Sequence, residues 1–185
     1  MIRASPSGDT QEQRTVKTSV NRQTVDLSAY PDLVVIYLGM RVNTLAGIKT
    51  LVGLGPRIQK AGDQKPDGLL HVENNIIYSV FPFHIGMRWY WENFESMERW
   101  TRSPPHRDWW QTFIKDSGGT GFWHETYFMG GGMEAIYDDI PAPLGFQAFA
   151  PVVAARGPSF SARRRARRTG AEPIQPEGNS EADLY

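Results

Sequence analysis

The alternation of apolar and polar residues is clearest between Asp32 and Asn43. Every second position on one face of this segment is apolar, and these positions are Val34, Ile36, Leu38, Met40 and Val42. The opposite face changes from apolar to polar through Val35, Tyr37, Gly39, Arg41 and Asn43. A period of two among β-branched and aromatic residues is typical of a strand. We predict a buried strand whose first face packs on helices and whose second face lines a cavity that ends in a guanidinium and an amide.

A helical spacing of apolar residues follows this strand. Asn43 or Thr44 can cap a helix, and its apolar stripe is formed by Leu45, Ile48, Leu51 and Val52. Pro56 comes shortly after two glycines, so we expect it to kink or end the helix.

The rest of the central region contains three further strands and two further helices. Pro82 and Gly86 interrupt an otherwise extended stretch, which predicts a hairpin near Phe83 and His84. The predicted elements are a strand over 69–79, a strand over 87–91, a helix that Asn93 caps and Pro104-Pro105 ends, a helix over 106–115 and a strand over 121–128.

The element order is therefore β-α-β-β-α-β. This order is typical of an α+β, ferredoxin-like sheet with its helices on one face. Because the other face of such a sheet needs a cover, we expect a homodimer in which two sheets close into an α/β barrel.

Composition divides the chain into three parts. Residues 1–29 are mostly polar and are predicted to be a disordered arm, and residues 30–153 form the single folded domain. Residues 154–185 contain five arginines between Arg163 and Arg168, followed by an acidic stretch rich in Pro, Gly and Ser. We expect this segment to be a solvated, disordered tail.

Charge and composition exclude several classes of function. Twenty Lys and Arg balance twenty Asp and Glu, which argues against a nucleic-acid or anionic-membrane partner. The sequence has no cysteine, so disulfides, zinc–thiolate sites and cysteine nucleophiles are excluded. The longest apolar run is too short for a membrane span, and the first residues lack the apolar core of a signal peptide. We expect a cytoplasmic protein. We also expect no metal site, because the four histidines are dispersed along the sequence.

Three segments carry a resemblance to a known family. They are LGMRVN at 38–43, YWENFESMERW at 90–100 and GFWHETY at 121–127, with EAIY following at 134–137. They resemble the dimeric α/β-barrel proteins called monooxygenase-like, a branch near the antibiotic-biosynthesis monooxygenases. The resemblance covers residues 33–151 and implies the barrel fold. It also implies enzymes that work without a cofactor, although the haem-dependent aldoxime dehydratases share the same barrel.

Four residues are candidates for catalysis. His124 lies in the middle of the last strand, where an imidazole can serve as general base, bind haem iron or be a hydrogen-bonded core residue. His106 opens a helix, whose N-terminus lowers the pKa of an imidazole, and it can be either a second acid or base or a surface cap of that helix. Arg41 can hold a developing anion, and Tyr127 can donate a proton or cap a buried acceptor. Both could equally be structural, since Glu125 is a natural ion-pair partner for Arg41 or Arg88.

The remaining candidates concern substrate binding. Trp89 and Trp91 share a strand face and can form a wall for a flat or polycyclic substrate, although core packing explains them equally well. The full predicted binding set is Asn43, Tyr37, Trp89, Trp91, Glu125 and Phe128.

These observations together favour a small-molecule enzyme of secondary metabolism. We expect a cofactor-independent monooxygenase that acts on a hydrophobic polyketide or terpenoid intermediate. Three alternatives remain open: a non-oxidative cyclase, isomerase or pericyclase in the same pocket, a haem-dependent lyase like aldoxime dehydratase, and a non-catalytic accessory protein that binds an intermediate.

Overall fold

The central sheet has four antiparallel strands in the order β3-β4-β2-β5. A computed structural model describes residues 20–130, 132–138 and 142–168 of the chain, with the Arg163 side chain left out. The strands are β2 (Val34–Val42), β3 (Leu69–Ser79), β4 (His84–Trp91) and β5 (Thr120–Phe128). This is the predicted ferredoxin-like order, with the first and third strands of the repeat paired at the centre.

Three helices pack on one face of this sheet. They are α1 (Leu45–Asp63), α2 (Phe94–Thr101) and α3 (His106–Phe113). The side chain of Asn93 accepts a hydrogen bond from the Ser96 backbone N–H and caps α2 as predicted. Pro56 lies inside α1, which continues to Asp63, so of the two predicted effects, a kink or an end, the end is wrong.

Small residues, rather than the predicted apolar stripe, bring α1 against the sheet. Leu45 and Val52 are 87% and 68% exposed, whereas Gly47, Ala61 and Gly62 are buried. A Cβ on Gly47 would lie 2.3 Å from a backbone oxygen of the loop before β5. Because glycine has no side chain, the helix comes closer to the sheet than leucine or valine would allow.

A second, three-stranded antiparallel sheet covers part of the opposite face. It has the order β6-β1-β7 and consists of β1 (Arg22–Val25), β6 (Tyr137–Asp138) and β7 (Val152–Ala154). Two short 3₁₀-helices, Gly145–Ala148 and Gly157–Ser159, and the helix α4 (Ala162–Arg168) accompany it.

The described parts of the segments predicted to be disordered, residues 20–29 and 154–168, therefore take part in the fold. Val25 and Leu27, from the predicted 1–29 arm, are buried in the core on this face. The predicted 154–185 tail supplies the end of β7 and α4. Residues 1–19 and 169–185, where the rest of both predictions falls, lie outside the described residues.

Part of the basic cluster is structural rather than solvated. Arg165 is buried and donates hydrogen bonds to the backbone oxygens of Ser159 and Phe160. Its guanidinium also forms an ion pair with Glu134 at 2.7 Å. Arg168 forms an ion pair with Asp26 at 3.3 Å, which connects the two terminal segments to each other.

The central sheet thus separates two cores. On the helix face, Val34, Trp89, Trp91 and Met97 are buried together. On the other face, residues from the terminal segments pack on Val35 and Tyr90. The homodimer was predicted from an uncovered second face, and the chain itself covers one end of that face. Among the described residues, no helix has the length and apolar character needed to cross a membrane.

Candidate active site

An aromatic cavity of about 610 Å³ lies between the central sheet and helices α2 and α3. Trp89 and Trp91 form its floor, with their ring centroids 6.1 Å apart in a stacked arrangement. Trp100 on α2 packs across both rings, at 4.9 and 5.7 Å. The other aromatic lining residues are Phe94, Trp109, Trp110 and Phe122.

The cavity forms where α2 and α3 leave the sheet. These helices are eight residues long and are separated by a turn that contains Pro104-Pro105, so α3 cannot continue the line of α2. The alternation of β5 then places Phe122, His124 and Thr126 on the cavity side. The predicted wall of Trp89 and Trp91 is therefore at this cavity, although both residues also belong to the core.

His106 presents an unprotonated nitrogen in this cavity. Its Nδ1 lies 2.8 Å from the backbone oxygen of Thr101. Because a carbonyl oxygen can only accept, Nδ1 donates the hydrogen bond, and in the neutral ring Nε2 keeps its lone pair. Trp100 packs against the ring at a centroid distance of 5.0 Å.

Burial lowers the pKa of His106 below its usual 6.5. Burial is the largest cause, the hydrogen bond to Thr101 acts in the opposite direction, and the charge of His124 lowers the pKa further. The sequence predicted a lowered pKa from the helix N-terminus, so the direction agrees while the main cause differs. A neutral imidazole with a free Nε2 is suited to accept a proton near neutral pH.

His124 lines the same cavity from the strand side. It lies on β5 opposite Leu38 of β2, and its ring centroid is 6.1 Å from that of Phe122. His124 is an exposed residue, so solvent reaches it through the open side of the cavity. The structure thus brings together the two histidines that the sequence singled out.

Arg41 and Asn43 lie on the opposite face of the sheet from this cavity. Adjacent residues of a strand point to opposite faces, so Arg41 cannot share the face of Leu38 and Met40. Its Nη1 donates to the Asn43 side-chain oxygen at 2.9 Å, and both residues are exposed. The aromatic cavity lies on the first face of this strand, so Arg41 and Asn43, which were predicted as site residues, do not line it.

Tyr37, Glu125 and Tyr127 also lie on that opposite face. The Tyr127 hydroxyl donates to Glu125, and the two rings of Tyr37 and Tyr127 meet edge to face at 5.6 Å. Glu125 was expected to pair with Arg41 or Arg88, but Arg88 pairs with Glu73 instead. Phe128 packs against Phe94 at 5.4 Å beside the cavity and is 57% exposed.

Sequence reasoning missed several residues that define the cavity. Trp100, Trp109 and Thr126 were not among the candidates, although all three line it. The density of aromatic residues between 89 and 110 is the signal that could have found the two tryptophans. For Thr126 the signal is its two-residue spacing from His124 on a strand.

Among residues 20–130, 132–138 and 142–168, no group of three His, Cys, Asp or Glu side chains is placed to hold a metal ion. The site does fit a group with one axial nitrogen ligand. The His106 Nδ1–H is held by a backbone carbonyl, which is the usual second contact of a metal-binding imidazole.

Comparison with known proteins identifies the family. The model of the monooxygenase af470-like family matches residues 33–146, which is more than half of the chain. The chain belongs to this family. The matched residues include the whole central sheet, its three helices and both cavity histidines. No curated protein matches the sequence.

Solved structures with a similar fold include two aldoxime dehydratases. The enzyme OxdRE in complex with butyraldoxime has a TM-score of 0.60 and 20% identity, covering 86% of this chain and 46% of that chain. A second aldoxime dehydratase has a TM-score of 0.60 and 18% identity, over 80% and 43%. SnoaB, a cofactor-independent oxygenase from Streptomyces nogalater, is more distant, with a TM-score of 0.40 and 10% identity over 52% and 91%. The chain spans less than half the length of either aldoxime dehydratase.

Proposed function

We propose that the protein is a monooxygenase of secondary metabolism that oxidises a hydrophobic polyketide or terpenoid intermediate in the aromatic cavity without a cofactor. The observation that carries this proposal is the pair of histidines, His106 and His124, facing one cavity whose other walls are mainly aromatic. Family membership supports an oxygenase, and the cavity supports a substrate that is flat and apolar.

The proposed chemistry begins with proton transfer from carbon. His106 Nε2 accepts a proton from an acidic methylene group of the substrate and leaves a carbanion. The carbanion gives one electron to O₂, and the two radicals combine into a C–O–O bond. Loss of water, which takes the second methylene hydrogen, leaves a carbonyl group. The balance is R₂CH₂ + O₂ → R₂CO + H₂O, so O₂ is the only oxidant needed.

The two histidines divide the proton transfers in this scheme. His106 is assigned the first transfer, because the Thr101 contact fixes its lone pair on Nε2 and its lowered pKa keeps the ring neutral and able to accept a proton. His124 is the exposed member, so it can exchange a proton with solvent and supply it to the peroxide before water leaves. General acid–base groups of this kind contribute roughly 10² to 10⁴-fold to a rate.

The aromatic wall supports the same proposal. A delocalised carbanion is flat, and the partly exposed lining rings, such as Phe94 at 42% and Trp110 at 45%, offer it apolar surface. Trp89 and Trp91 are 1% exposed and held by Trp100, so they support this surface from behind and it is formed before substrate arrives. A preformed apolar surface also excludes water from the reacting carbon.

A haem-dependent lyase is the second candidate function. The Thr101 contact of His106 favours it, because an axial histidine commonly donates its other N–H to a carbonyl. His106 Nε2 would then hold the haem iron, and His124 would be placed to donate a proton to the substrate. When bound, the haem iron would supply the coordination site at which substrate is activated.

We propose further that the protein works as a homodimer joined through the open part of the sheet face opposite the helices. Tyr78 and Tyr127 are 41% and 48% exposed on β3 and β5, beyond the end covered by the terminal segments. Exposed aromatic residues on a sheet are typical of a surface that another subunit covers. A solution mass equal to that of one chain would contradict the homodimer. It would leave the cavity assignment unchanged, because the cavity lies within a single chain.

An absorption spectrum and an oxygen assay test the proposal. The purified protein should show no Soret band and should consume one O₂ per product with one ¹⁸O atom incorporated from ¹⁸O₂. The assay uses polycyclic polyketides with an acidic methylene group. A Soret band in the purified protein that is lost in His106→Ala would support the haem-dependent lyase and overturn cofactor-free oxygenation. Product formation without O₂ would indicate a cyclase or isomerase, and tight binding without any turnover would indicate an accessory protein.

A further inference from the structure

A second cavity of about 250 Å³ lies on the helix face, between α1 and the β2–β4 part of the sheet. Its lining is apolar apart from the side chains of Gln59 and Asn75, and none of its lining residues is charged. The apolar side chains that contribute most are Met40, Leu51, Val52, Pro56, Phe83 and Met87. A neutral hydrocarbon chain is the group that such a lining accepts at least cost, because no charge loses its water.

Two side chains separate this second cavity from the aromatic cavity. Leu38 of β2 and Ile58 of α1 line both of them, and we call this pair the partition. Ile58 also lines a small space of about 50 Å³ that continues to His106 and Trp109. The two cavities are therefore neighbours along the underside of α1 and share two apolar lining residues.

The segment of α1 over the second cavity is its weakest part. Pro56 has no N–H, so the helical hydrogen bond to the backbone oxygen of Val52 is missing. Gly53 and Gly55 precede it, and each interior glycine costs a helix about 1 kcal/mol relative to alanine. A Cβ on either glycine would meet nothing within 4 Å, so close packing does not require them. The backbone of this segment is therefore held less firmly than that of a helix interior without glycine and proline.

We propose that the second cavity is a compartment of the substrate site that takes an extended apolar chain, such as an alkyl or isoprenoid substituent. This inference rests on the proposed function, which places the reacting head group between His106 and His124. Ile58 and Leu38 then determine specificity by the chain length that passes the partition. The two glycines and Pro56 let α1 move aside for the chain.

The test is a binding series with n-alkylphenols, from ethylphenol to dodecylphenol, measured by isothermal titration calorimetry. In the wild-type protein the dissociation constant should fall roughly four-fold for each added methylene, and this should continue into the long members of the series. Ile58→Phe puts a larger side chain in the partition, so the affinity should stop rising at a shorter alkyl chain than in the wild-type protein. We expect at least a ten-fold loss for decylphenol and no change for ethylphenol.

Ile48→Phe is the matched control, because Ile48 lies on the same helix, is 50% exposed and lines none of these cavities. It should reproduce the wild-type series. Leu38→Phe blocks the partition from the strand side and replaces Ile58→Phe if that variant does not fold. A series that stops at the same chain length in all proteins, or no binding by any alkylphenol, would overturn the proposal. Because binding needs no turnover, this result is independent of whether oxygenation occurs.

Discussion

The two faces of the central sheet differ in whether their polar groups are already hydrogen-bonded on every side. On the helix face, His106 and His124 lie in an aromatic cavity, and His106 keeps a lone pair at Nε2. On the other face, Arg88 pairs with Glu73 and also donates to the Tyr37 hydroxyl at 2.5 Å. A polar group that is already bonded on each side stabilises the fold, whereas a group with a free atom beside a cavity can act on a ligand.

Glu73 is the centre of the paired face. Both of its carboxylate oxygens are used, since one accepts from Arg88 and from the Tyr90 hydroxyl at 3.1 Å. The other accepts from the backbone N–H of Gly145 at 2.6 Å. Gly145 has a φ of +56°, which glycine adopts without strain, and this conformation turns its N–H toward the sheet. Glu73 thereby connects the central sheet to the terminal segments that cover it.

The largest expected effect is the difference in kcat between substitutions of polar residues on the helix face and substitutions on the opposite face. His106→Gln and His124→Gln should each lower kcat roughly 10² to 10⁴-fold, because each removes a proton-transfer group from the cavity. Arg41→Gln and Tyr127→Phe on the opposite face should change kcat less than about three-fold, since neither side chain reaches the cavity. The measurement is oxygen uptake with a substrate at saturating concentration.

Unfolding midpoints check that all four variants are folded. Three of the four substituted sites are exposed. A loss of activity in Arg41→Gln equal to that in His124→Gln would mean that the opposite face takes part in the reaction. The assignment of the aromatic cavity as the whole active site would then be wrong, and the prediction that Arg41 takes part in catalysis would stand.

A second, smaller effect concerns stability. Glu73→Gln should lower the free energy of unfolding by about 3 kcal/mol, because it leaves Arg88 partly buried without its charge partner. Asp67→Asn is the matched control, since Asp67 forms an ion pair with Arg99 but is 89% exposed. It should cost no more than about 0.5 kcal/mol. Urea denaturation measures both, and equal losses would show that the Glu73 network is no more than a surface pair.

A third effect tests the cover formed by the C-terminal segment. Arg165→Met should cost about 2 kcal/mol, because Arg165 is 7% exposed and its guanidinium bonds Glu134 and two backbone oxygens. Arg99→Met, at a side chain that is 60% exposed, should cost about 0.5 kcal/mol or less. Urea denaturation gives both values. If the two losses match, the basic cluster is a solvated tail, as its composition predicted.

Sequence patterns predicted the central sheet well because its strands are regular and long. The period of two in β2 and β5 comes directly from strand geometry, and the structure pairs Leu38 of β2 with His124 of β5. Which of the two faces the helices cover is not local information, however. Both faces of β2 begin with valine, and the sequence therefore put the cavity on the side of Arg41 instead of the side of Leu38.

Short elements held by distant contacts could not be predicted. β1 has four residues and two of them are Arg22 and Gln23, so its composition resembles that of a loop. Its position depends on partners far along the chain, such as the Ala135 oxygen that accepts from Thr24 at 2.7 Å. Arg165 is a similar case, because a cluster of arginines gives no sign that one of them is buried against Glu134.

The smallest expected effect is on the pH dependence of stability, and it compares one histidine from each face of the sheet. Burial lowers the pKa of His106 and also that of His71, which lies beside Tyr90 on the opposite face. A histidine whose folded pKa is below its unfolded value of about 6.5 stabilises the protein above that pH, and this stabilisation is lost as the pH falls. Both His106→Gln and His71→Gln should therefore flatten the decline in unfolding free energy below pH 6.5.

Catalysis should distinguish the two histidines even though stability does not. If His106 is the base, the acidic limb of kcat/KM has its midpoint below pH 6.5, because His106 stays neutral to lower pH than a free imidazole. His71→Gln should leave that limb unchanged, while His106→Gln should remove it together with most of the activity. A limb that moves in His71→Gln would show that titration on the paired face reaches the cavity, and the separation of the two faces would no longer hold.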